Sequence, residues 1–259
     1  MRQILSHAGS CSNSCANSAR LAGSRSRWRG RSMPAAAQQH PPRSAASGAQ
    51  LLATALALLV PSSCTEEPSC PQETVVAGSL EIFAHEASRP GATRKSQGSG
   101  GDRACSGRGV LPWTRITRAQ AEALCRASGF SLCTRLEWQR ACGGPQQQPY
   151  PYGSRETAQI CNDYLAGSTR PLPAGEKQGC VSPEGAYDMV GNVWEWVLPD
   201  ADPGAAAAGE ELYAGGSYKV TQLSRSLHPN RCDSEVRPAS GSGYQAEDVG
   251  FRCCRPVTR

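Results

Sequence analysis

The hydrophobic and polar positions divide the chain into an apolar leader and a body of mixed character. Leu51–Val60 is an uncharged run of ten residues. It is too short to cross a bilayer, which needs about 20 residues, but it is typical of a signal-peptide core. Residues 117–144 repeat their apolar positions with a helical period, whereas the chain beyond residue 144 holds only short alternating runs among glycines, prolines and aromatics. This pattern predicts one α+β domain with extensive irregular structure.

Two short helices are predicted from their N-terminal capping boxes, Thr117–Gln120 and Thr134–Glu137. Glycines mark both helix ends, at Gly129 and at Gly143–Gly144. Each helix has one apolar face that includes a cysteine, so we expect both helices to be joined by disulfides to distant segments. The faces are Ala121, Leu124 and Cys125 in the first helix, and Trp138, Ala141 and Cys142 in the second.

Short strands are predicted where apolar residues alternate with polar ones. In the last strand the alternation sends Cys253 and Cys254 to opposite faces, so the two should have different partners. Residues 86–108 and 200–211 are predicted to be surface loops. The predicted strands are Val75–His85, Ala186–Met189, Val193–Val197, Ala214–Val220 and Val249–Cys254.

The net charge of +5 suggests nucleic acid or an anionic membrane as a partner, but the placement of the charges argues against both. Residues 1–63 hold seven arginines and no acid. The rest of the chain therefore holds the remaining 20 of the 27 basic side chains and all 22 acidic ones. The body is therefore near neutral and has no basic patch. We expect no nucleic-acid partner, and contact with a membrane only through a lipid anchor.

Residues 1–63 are predicted to be a leader, residues 64–74 a tether and residues 75–259 the folded domain. Cys64 follows the apolar run and two small residues, which is similar to a bacterial lipoprotein cleavage site and would make Cys64 the lipidated first residue. Pro61 occupies the place where such sites usually carry Leu, and ordinary signal cleavage nearby would leave Cys64 as a disulfide partner. The leader is long, so Met33 is an alternative start.

Ten of the 13 cysteines lie beyond Cys64. Their even number predicts a disulfide framework in an oxidising compartment. A zinc site would need paired C-x2-C knuckles, which the sequence lacks. We therefore expect an exported protein. The ten are Cys70, Cys105, Cys125, Cys133, Cys142, Cys161, Cys180, Cys232, Cys253 and Cys254.

The most informative stretch is Glu184–Val197, in which Asp188 and Glu195 flank a Gly191-Asn192 turn and two tryptophans alternate. Two carboxylates around a tight turn, with carbonyls between them, suit Ca²⁺, which takes six to eight oxygen ligands. The structural alternative is that Asp188 caps the turn and the tryptophans pack in the core. Spacing alone does not decide between the two.

This stretch resembles the signature of the formylglycine-generating enzyme, or sulfatase-modifying factor, family, whose fold is related to C-type lectins. The resemblance covers residues 75–255 and implies a disulfide-stapled fold of that type. Other segments follow in the family's order: Leu132–Trp138 with Ala141–Gly144, Tyr150–Gly153, Cys161-Asn162, Gly215–Tyr218 and Val249–Cys253.

The resemblance implies a calcium site made by the side chains of Asp188 and Glu195 and the carbonyls of Gly191 and Val193. A second calcium site would begin at Asn162 and Asp163, although the loop that follows, Leu165–Gly175, is short and carries no acid. Two family disulfides map to Cys125–Cys253 and Cys142–Cys232. By elimination, the other three pairs are Cys161–Cys180, Cys70–Cys105 and Cys133–Cys254.

The two cysteines that the family's oxidase uses to bind copper and activate oxygen have no counterpart here. Cu(I) selects sulfur ligands, so thiolates are required. Residues 218–231 contain no cysteine, and the family positions fall near Val220, Arg225 or Leu227. Ser217 is present, but a hydroxyl cannot replace a copper thiolate. We therefore expect no catalytic residues of this type and no copper.

Histidine chemistry has little support as well. The family's iron-dependent branch uses a separate helical domain with iron-binding histidines, whereas this chain has four histidines, two of them in the leader. His228, beside Pro229, is expected to be an exposed loop residue.

Three functional hypotheses remain. The favoured one is a non-catalytic lipoprotein of the bacterial cell envelope, which uses the lectin-like scaffold to bind an unknown protein, peptide or glycan. The alternatives are a divergent oxidase or maturation enzyme acting on exported proteins, and a structural component of a surface assembly.

Overall fold

The computed structural model describes residues 68–200, 211–219, 230–236 and 243–258. The leader, Cys64, the 201–210 loop, His228 and the family positions Val220, Arg225 and Leu227 lie outside these ranges. The described helices are α1 (Arg118–Ala127), α2 (Arg135–Gly143) and a 3₁₀ turn (Tyr164–Ala166). The described strands are β1 (Thr74–Ala77), β2 (Leu80–Phe83), β3 (Ala87–Ser88), β4 (Cys105–Ser106), β5 (Ser131–Leu132), β6 (Trp194–Val197), β7 (Leu212–Ala214), β8 (Glu235–Val236), β9 (Val249–Phe251) and β10 (Cys253–Pro256).

The strands form three small sheets. The first has the order β1-β2-β10-β5 and is antiparallel throughout, and the second pairs β3 with β4. The third has the order β8-β7-β6-β9, with β6 parallel to β9 and antiparallel to β7. A single residue, Arg252, separates β9 from β10, so the chain passes from the third sheet to the first at that position. This crossing positions the site described below.

The two helices begin and end where the caps predict. The side chains of Thr117 and Thr134 each accept a hydrogen bond from the backbone N–H three residues on. In return, the side-chain oxygens of Gln120 and Glu137 accept one from the backbone N–H of the capping threonine. Both helices bury the predicted apolar faces, but in different clusters: the α1 face packs with Phe83, Trp196 and Phe251, and the α2 face with Met189 and Val197. Among the described residues no helix is long and apolar enough to cross a membrane.

All ten cysteines of the body are paired, and the five pairs are those expected from the sequence. Cys253 and Cys254 point to opposite faces of β10 and bond to different segments, as the alternation predicts. Since the longest spans join residues more than 100 positions apart, the framework ties the C-terminal strand to the helical region. The pairs are Cys70–Cys105, Cys125–Cys253, Cys133–Cys254, Cys142–Cys232 and Cys161–Cys180.

Most strand predictions need correction. Val75–His85 is a hairpin rather than one strand, because Gly78 turns the chain with φ +70°. Ala186–Met189 forms no strand, since Asp188 takes a left-handed conformation with φ +57°. The strand expected over Ala214–Val220 ends at Ala214, and the one over Val249–Cys254 is broken at Arg252.

The predicted tether is wrong for its last residues. Cys70 is bonded to Cys105, and Gln72 forms a parallel bridge with Ser106. The backbone N–H of Glu73 donates to the Ser106 carbonyl, and β1 begins at Thr74. Residues 70–74 therefore belong to the folded domain.

Candidate functional site

The side chain of Arg252 is fully buried between the two larger sheets. Its Nε donates to Glu195 Oε2 at 2.8 Å and its Nη2 to Glu195 Oε1 at 2.7 Å, a bidentate ion pair. The remaining donors reach the backbone carbonyls of Phe83 and Tyr187, each at 2.8 Å. One guanidinium thus fixes β2, β6 and the start of the signature segment relative to each other.

Glu195 also connects this centre to α2. Its Oε2 accepts a hydrogen bond of 2.7 Å from Nε1 of Trp138, which is itself fully buried. Glu195 lies in the middle of β6, opposite Ala214 of β7 and Gly250 of β9. With three hydrogen bonds to two donor side chains, the carboxylate is held in one orientation.

A second buried carboxylate, Glu86, holds the signature turn. Its Oε2 accepts a hydrogen bond of 2.6 Å from Nδ2 of Asn192, and its Oε1 one of 3.2 Å from the backbone N–H of Val193. The Oδ1 of Asn192 in turn accepts from Nδ2 of Asn162 and from the backbone N–H of Leu172, both at 2.8 Å. The side chain of Asn192 therefore forms hydrogen bonds to three separate segments of the chain.

The third carboxylate, Asp188, faces the same region. It is buried, and its Oδ2 accepts a hydrogen bond of 2.6 Å from the backbone N–H of Gly175. Its left-handed backbone is uncommon for a residue other than glycine, and such conformations persist where the surroundings fix them. Asp188 therefore caps the loop at Gly175 rather than the Gly191-Asn192 turn, so the structural alternative is wrong on this point, whereas the two tryptophans do pack in the core.

The buried charges do not balance, because Glu86, Asp188 and Glu195 face one guanidinium. Burial raises the pKa of Glu86 well above its usual range, and the carboxylates of Asp188 and Glu195 raise it further. Burial likewise raises the pKa of Asp188 to about 7, against the lowering effects of the Gly175 N–H and Arg252. Burial alone would lower the pKa of Arg252, but the carboxylates, Glu195 first, raise it. The raised pKa values favour the neutral forms of Glu86 and Asp188, and a bound cation would instead favour their ionised forms.

Two glycines permit the close packing around this cluster. A Cβ at Gly191 would come within 2.7 Å of the Asn162 carbonyl oxygen, and one at Gly215 within 2.6 Å of the Met189 carbonyl oxygen. The backbone N–H of Gly191 donates to the carbonyl of Gly215 at 2.8 Å. Both glycines also have positive φ, so a side chain at either position would be excluded on two grounds.

The residues expected to begin a second calcium site have structural partners. Asp163 caps the 3₁₀ turn, its Oδ1 accepting from the backbone N–H groups of Leu165 and Ala166. Nδ2 of Asn162 donates to Asn192 and to the carbonyl of Arg170. Oδ1 of Asn162 is buried without a hydrogen-bond partner among the described residues. One oxygen beside the signature turn is therefore available as a metal ligand.

The donor set of the signature fits a hard cation such as Ca²⁺. Among the described residues, no three His, Cys, Asp or Glu side chains come together as a metal site on their own. A cation here would therefore need backbone carbonyls, as the expected set of Asp188, Gly191, Val193 and Glu195 provides. Oε2 of Glu195 already accepts two hydrogen bonds, so Oε1 is the oxygen with a lone pair left.

Ser217 and His85 show no arrangement for nucleophilic catalysis. Ser217 is fully buried, and its hydroxyl donates to Oδ2 of Asp248 at 2.8 Å. His85 lies elsewhere, with Nε2 at 3.1 Å from the Glu73 carboxylate and its ring stacked on Tyr187. Burial lowers the pKa of His85 to about 4, so it is neutral at pH 7.

Three residues central to this site were not identified as such from the sequence: Glu86, Asn192 and Arg252. Glu86 stands at the start of a segment predicted to be a loop. Arg252 lies within the family segment Val249–Cys253, and the sequence assigned it no role of its own. An arginine flanked by Phe251 and Cys253 in an otherwise apolar strand is the available signal, since a buried arginine requires a carboxylate partner.

The geometry agrees with the comparison to known families. Residues 71–257 match the family described as sulfatase-modifying factor enzyme 1-like domain. The chain belongs to this family.

Individual members differ in what their names say about activity. The chain is 36% identical over 172 residues to a hercynine oxygenase of Mycolicibacterium thermoresistibile, covering 56% of this chain and 38% of that protein. It is 28% identical over 165 residues to the inactive Cα-formylglycine-generating enzyme 2 of Mus musculus, covering 58% of this chain and 50% of that protein. The chain thus spans half or less of the length of these relatives.

One solved structure supports the sulfatase-modifying factor fold. Treponema denticola variable protein 1 superposes with a TM-score of 0.50 at 12% identity, covering 74% of this chain and 94% of that one. At this identity the likeness concerns the fold alone. The mixed small helices and sheets described above are therefore a known architecture, stapled here by five disulfides.

Replacing Arg252 with Met should destabilise the domain by about 3–5 kcal/mol, because Glu195 would remain buried without its partner. Arg255→Met is the matched control, three residues on and within β10. Arg255 pairs with Glu81 at 2.6 Å, but its side chain is 40% exposed, so the loss should be about 1 kcal/mol. Chemical unfolding of both variants measures the difference, and equal losses would contradict the assignment of Arg252 as the central contact.

Proposed function

We propose that this chain is a non-catalytic member of the sulfatase-modifying factor family that acts as a binding module. One observation carries the proposal: every cysteine from Cys70 onward is engaged in a disulfide. The interval 218–231 contains no cysteine at all. The body therefore has no thiolate to offer copper, and Cu(I) needs sulfur ligands.

Export and lipid anchoring are part of the proposal. Five disulfides in one domain are typical of proteins folded in an oxidising compartment. The arginine-rich leader with its apolar run, followed by Cys64, supports delivery to a bacterial envelope with Cys64 as the lipidated residue. The body itself is near neutral, so the anchor would be its contact with the membrane, and its partner would be a protein, peptide or glycan.

The second candidate is a divergent maturation enzyme, and the similarity to proteins named hercynine oxygenase favours it. The relative named as inactive shows that the family also has members without catalysis. Oxygen chemistry would require metal ligands other than thiolates in this chain. Stoichiometric copper bound by the native protein would favour this candidate over the first.

The first test is a Cu(I) titration against a competing chelator. The native protein, with Cys11, Cys15 and Cys64 replaced by Ser, should bind no stoichiometric Cu(I), because its remaining ten cysteines are oxidised. The same protein after reduction and unfolding is the positive control, since its ten thiols should bind the metal. One tightly bound Cu(I) per native chain would instead support the enzyme.

We also propose that the signature binds Ca²⁺ through the side chains of Asp188 and Glu195 and the carbonyls of Gly191 and Val193. The excess of buried carboxyl groups over guanidinium supports this, because a divalent cation would stabilise the ionised forms that burial disfavours. The ion would supply a structural link within the turn. The unpaired Oδ1 of Asn162 is the support for a second ion nearby.

Calcium should therefore raise the melting temperature, and more so at pH 8 than at pH 5. Burial raises the pKa of Asp188 from 3.8 to about 7. Without calcium, the stability contributed by this carboxyl falls as the pH rises from about 4 to about 7, since the unfolded state ionises first. With calcium, the ionised form binds the metal, and a concentration of about 100 times the dissociation constant should add about 5 °C or more at pH 8.

The control variants for this experiment are Asp188→Asn and Asp102→Asn. Asp188→Asn should abolish the response to calcium, whereas Asp102→Asn, at an exposed carboxylate paired with Arg103, should keep it. Identical melting curves with calcium and with a chelator at pH 8 would contradict the calcium proposal and leave the copper result unaffected.

A further inference from the structure

A pocket of about 360 Å³ lies between α1 and the segment that precedes it. None of its lining residues is Arg252 or one of the three buried carboxylates near it, so the pocket is a separate feature. Its volume is at the lower end of the range for small-ligand sites. The lining includes Arg89, Trp113, Arg115, Ile116, Ala123 and Leu124.

Arg89 is the unusual residue of this pocket. Its guanidinium carbon lies 4.1 Å from the centroid of the Trp113 ring, and its Nη1 donates to the carbonyl of Gly100 at 3.0 Å. Within the described ranges it forms no ion pair with a carboxylate. Burial lowers its pKa, and no acidic group acts against that effect. Toward the described residues this partly buried cation donates one hydrogen bond, so up to four of its five N–H donors can serve a ligand.

Apart from Gln120 and the rim residue Arg115, the other side chains of the lining are apolar, and several of them are firmly held. Trp113 is 5% exposed, and its backbone N–H donates to the Ala87 carbonyl at 2.8 Å. The carbonyl of Ile116 accepts a hydrogen bond of 2.9 Å from Nε1 of Trp196 in β6. Leu124 is buried on the inner face of α1. These walls are tied to the core, so the pocket is preformed.

A second cation stands at the rim. Arg115 takes a left-handed backbone conformation, φ +56°, which its N–H stabilises by donating to the Ala246 carbonyl at 2.9 Å. Its guanidinium pairs with Glu247 at 2.7 Å, but both side chains are largely solvent-exposed, so this pair is weak. Arg115 can therefore add to the attraction for an anion at the mouth of the pocket.

We propose that this pocket binds the carboxylate of a ligand that has an apolar or aromatic body, with Arg89 as the anchor. The planar guanidinium matches the two oxygens of a carboxylate, and the apolar walls match the body. The inference goes beyond the proposed function, since such a pocket would serve a catalytic member equally.

The test uses ligand pairs that differ only in charge. N-acetylphenylalanine and its amide probe a free small acid, and the peptide Gly-Gly-Phe and its C-terminal amide probe a chain terminus. Isothermal titration with the full chain should show saturable binding of at least one acid, about tenfold or more tighter than its amide. Which acid binds more tightly identifies the source of the carboxylate.

Two variants locate the binding site. Arg89→Gln should remove the preference for acid over amide, whereas Arg94→Gln, at an exposed arginine of the same loop paired with Glu176, should keep it. Ala123→Glu places a negative charge at the mouth without touching the core and should weaken acid binding about tenfold. Ala127→Glu, one turn further along α1 and outside the pocket lining, is its control.

The proposal is overturned by either of two results. One is that neither acid binds saturably, or that both bind no more tightly than their amides. The other is that Ala123→Glu, with an unchanged melting temperature, binds the acid as tightly as Ala127→Glu does. Because Ala123 is an exposed helical position, this second comparison stays informative even if Arg89→Gln fails to fold. Neither result bears on the copper or calcium experiments.

Discussion

The fully buried guanidinium of Arg252 is the contact on which the rest of this structure depends. Removing a charged group from water is unfavourable by several kcal/mol unless it is paired and hydrogen-bonded. Arg252 meets that condition through Glu195 and two backbone carbonyls. Because Arg252 is the one residue between β9 and β10, the same contact fixes the point at which the chain changes sheets. The disulfides of Cys253 and Cys254, which directly follow Arg252, then hold the crossing in place.

This centre also explains why the signature Tyr187–Trp196 identifies a scaffold rather than a reaction. Its polar groups are directed inward: Glu195 towards Arg252 and Trp138, Asn192 towards Glu86 and Asn162, Asp188 towards the backbone of Gly175. These contacts are structural. A chain can therefore keep the whole signature after losing the thiolates that the family's oxidase requires.

How much could be predicted from the sequence depended on whether the signal was local. Both helices were correct because a capping box and a terminal glycine lie within one short segment. The strands were less accurate, since most are two to four residues long and are set by partners far away in sequence. Left-handed residues such as Asp188 interrupt runs that the alternation pattern treats as continuous.

The same distinction applies to the site. Asp188 and Glu195 were identified because they lie in one motif. Glu86 and Arg252 were not, because their partners are 106 and 57 residues away, and no pattern in one sequence reports such a contact. The disulfides were the exception, since the resemblance to the family supplied two pairs and the small number of remaining cysteines constrained the others.

In the proposed function the scaffold is kept without the family's chemistry, and the state of the cysteines is the basis for that proposal. The most direct test is to alkylate the native protein without reduction, digest it and map each cysteine by mass spectrometry. We expect no alkylation at any of the ten cysteines from Cys70 to Cys254, and five linked peptide pairs that match the structure. Two or more alkylated cysteines within this range would show free thiols in the native body and would contradict a fold that has none to give a metal.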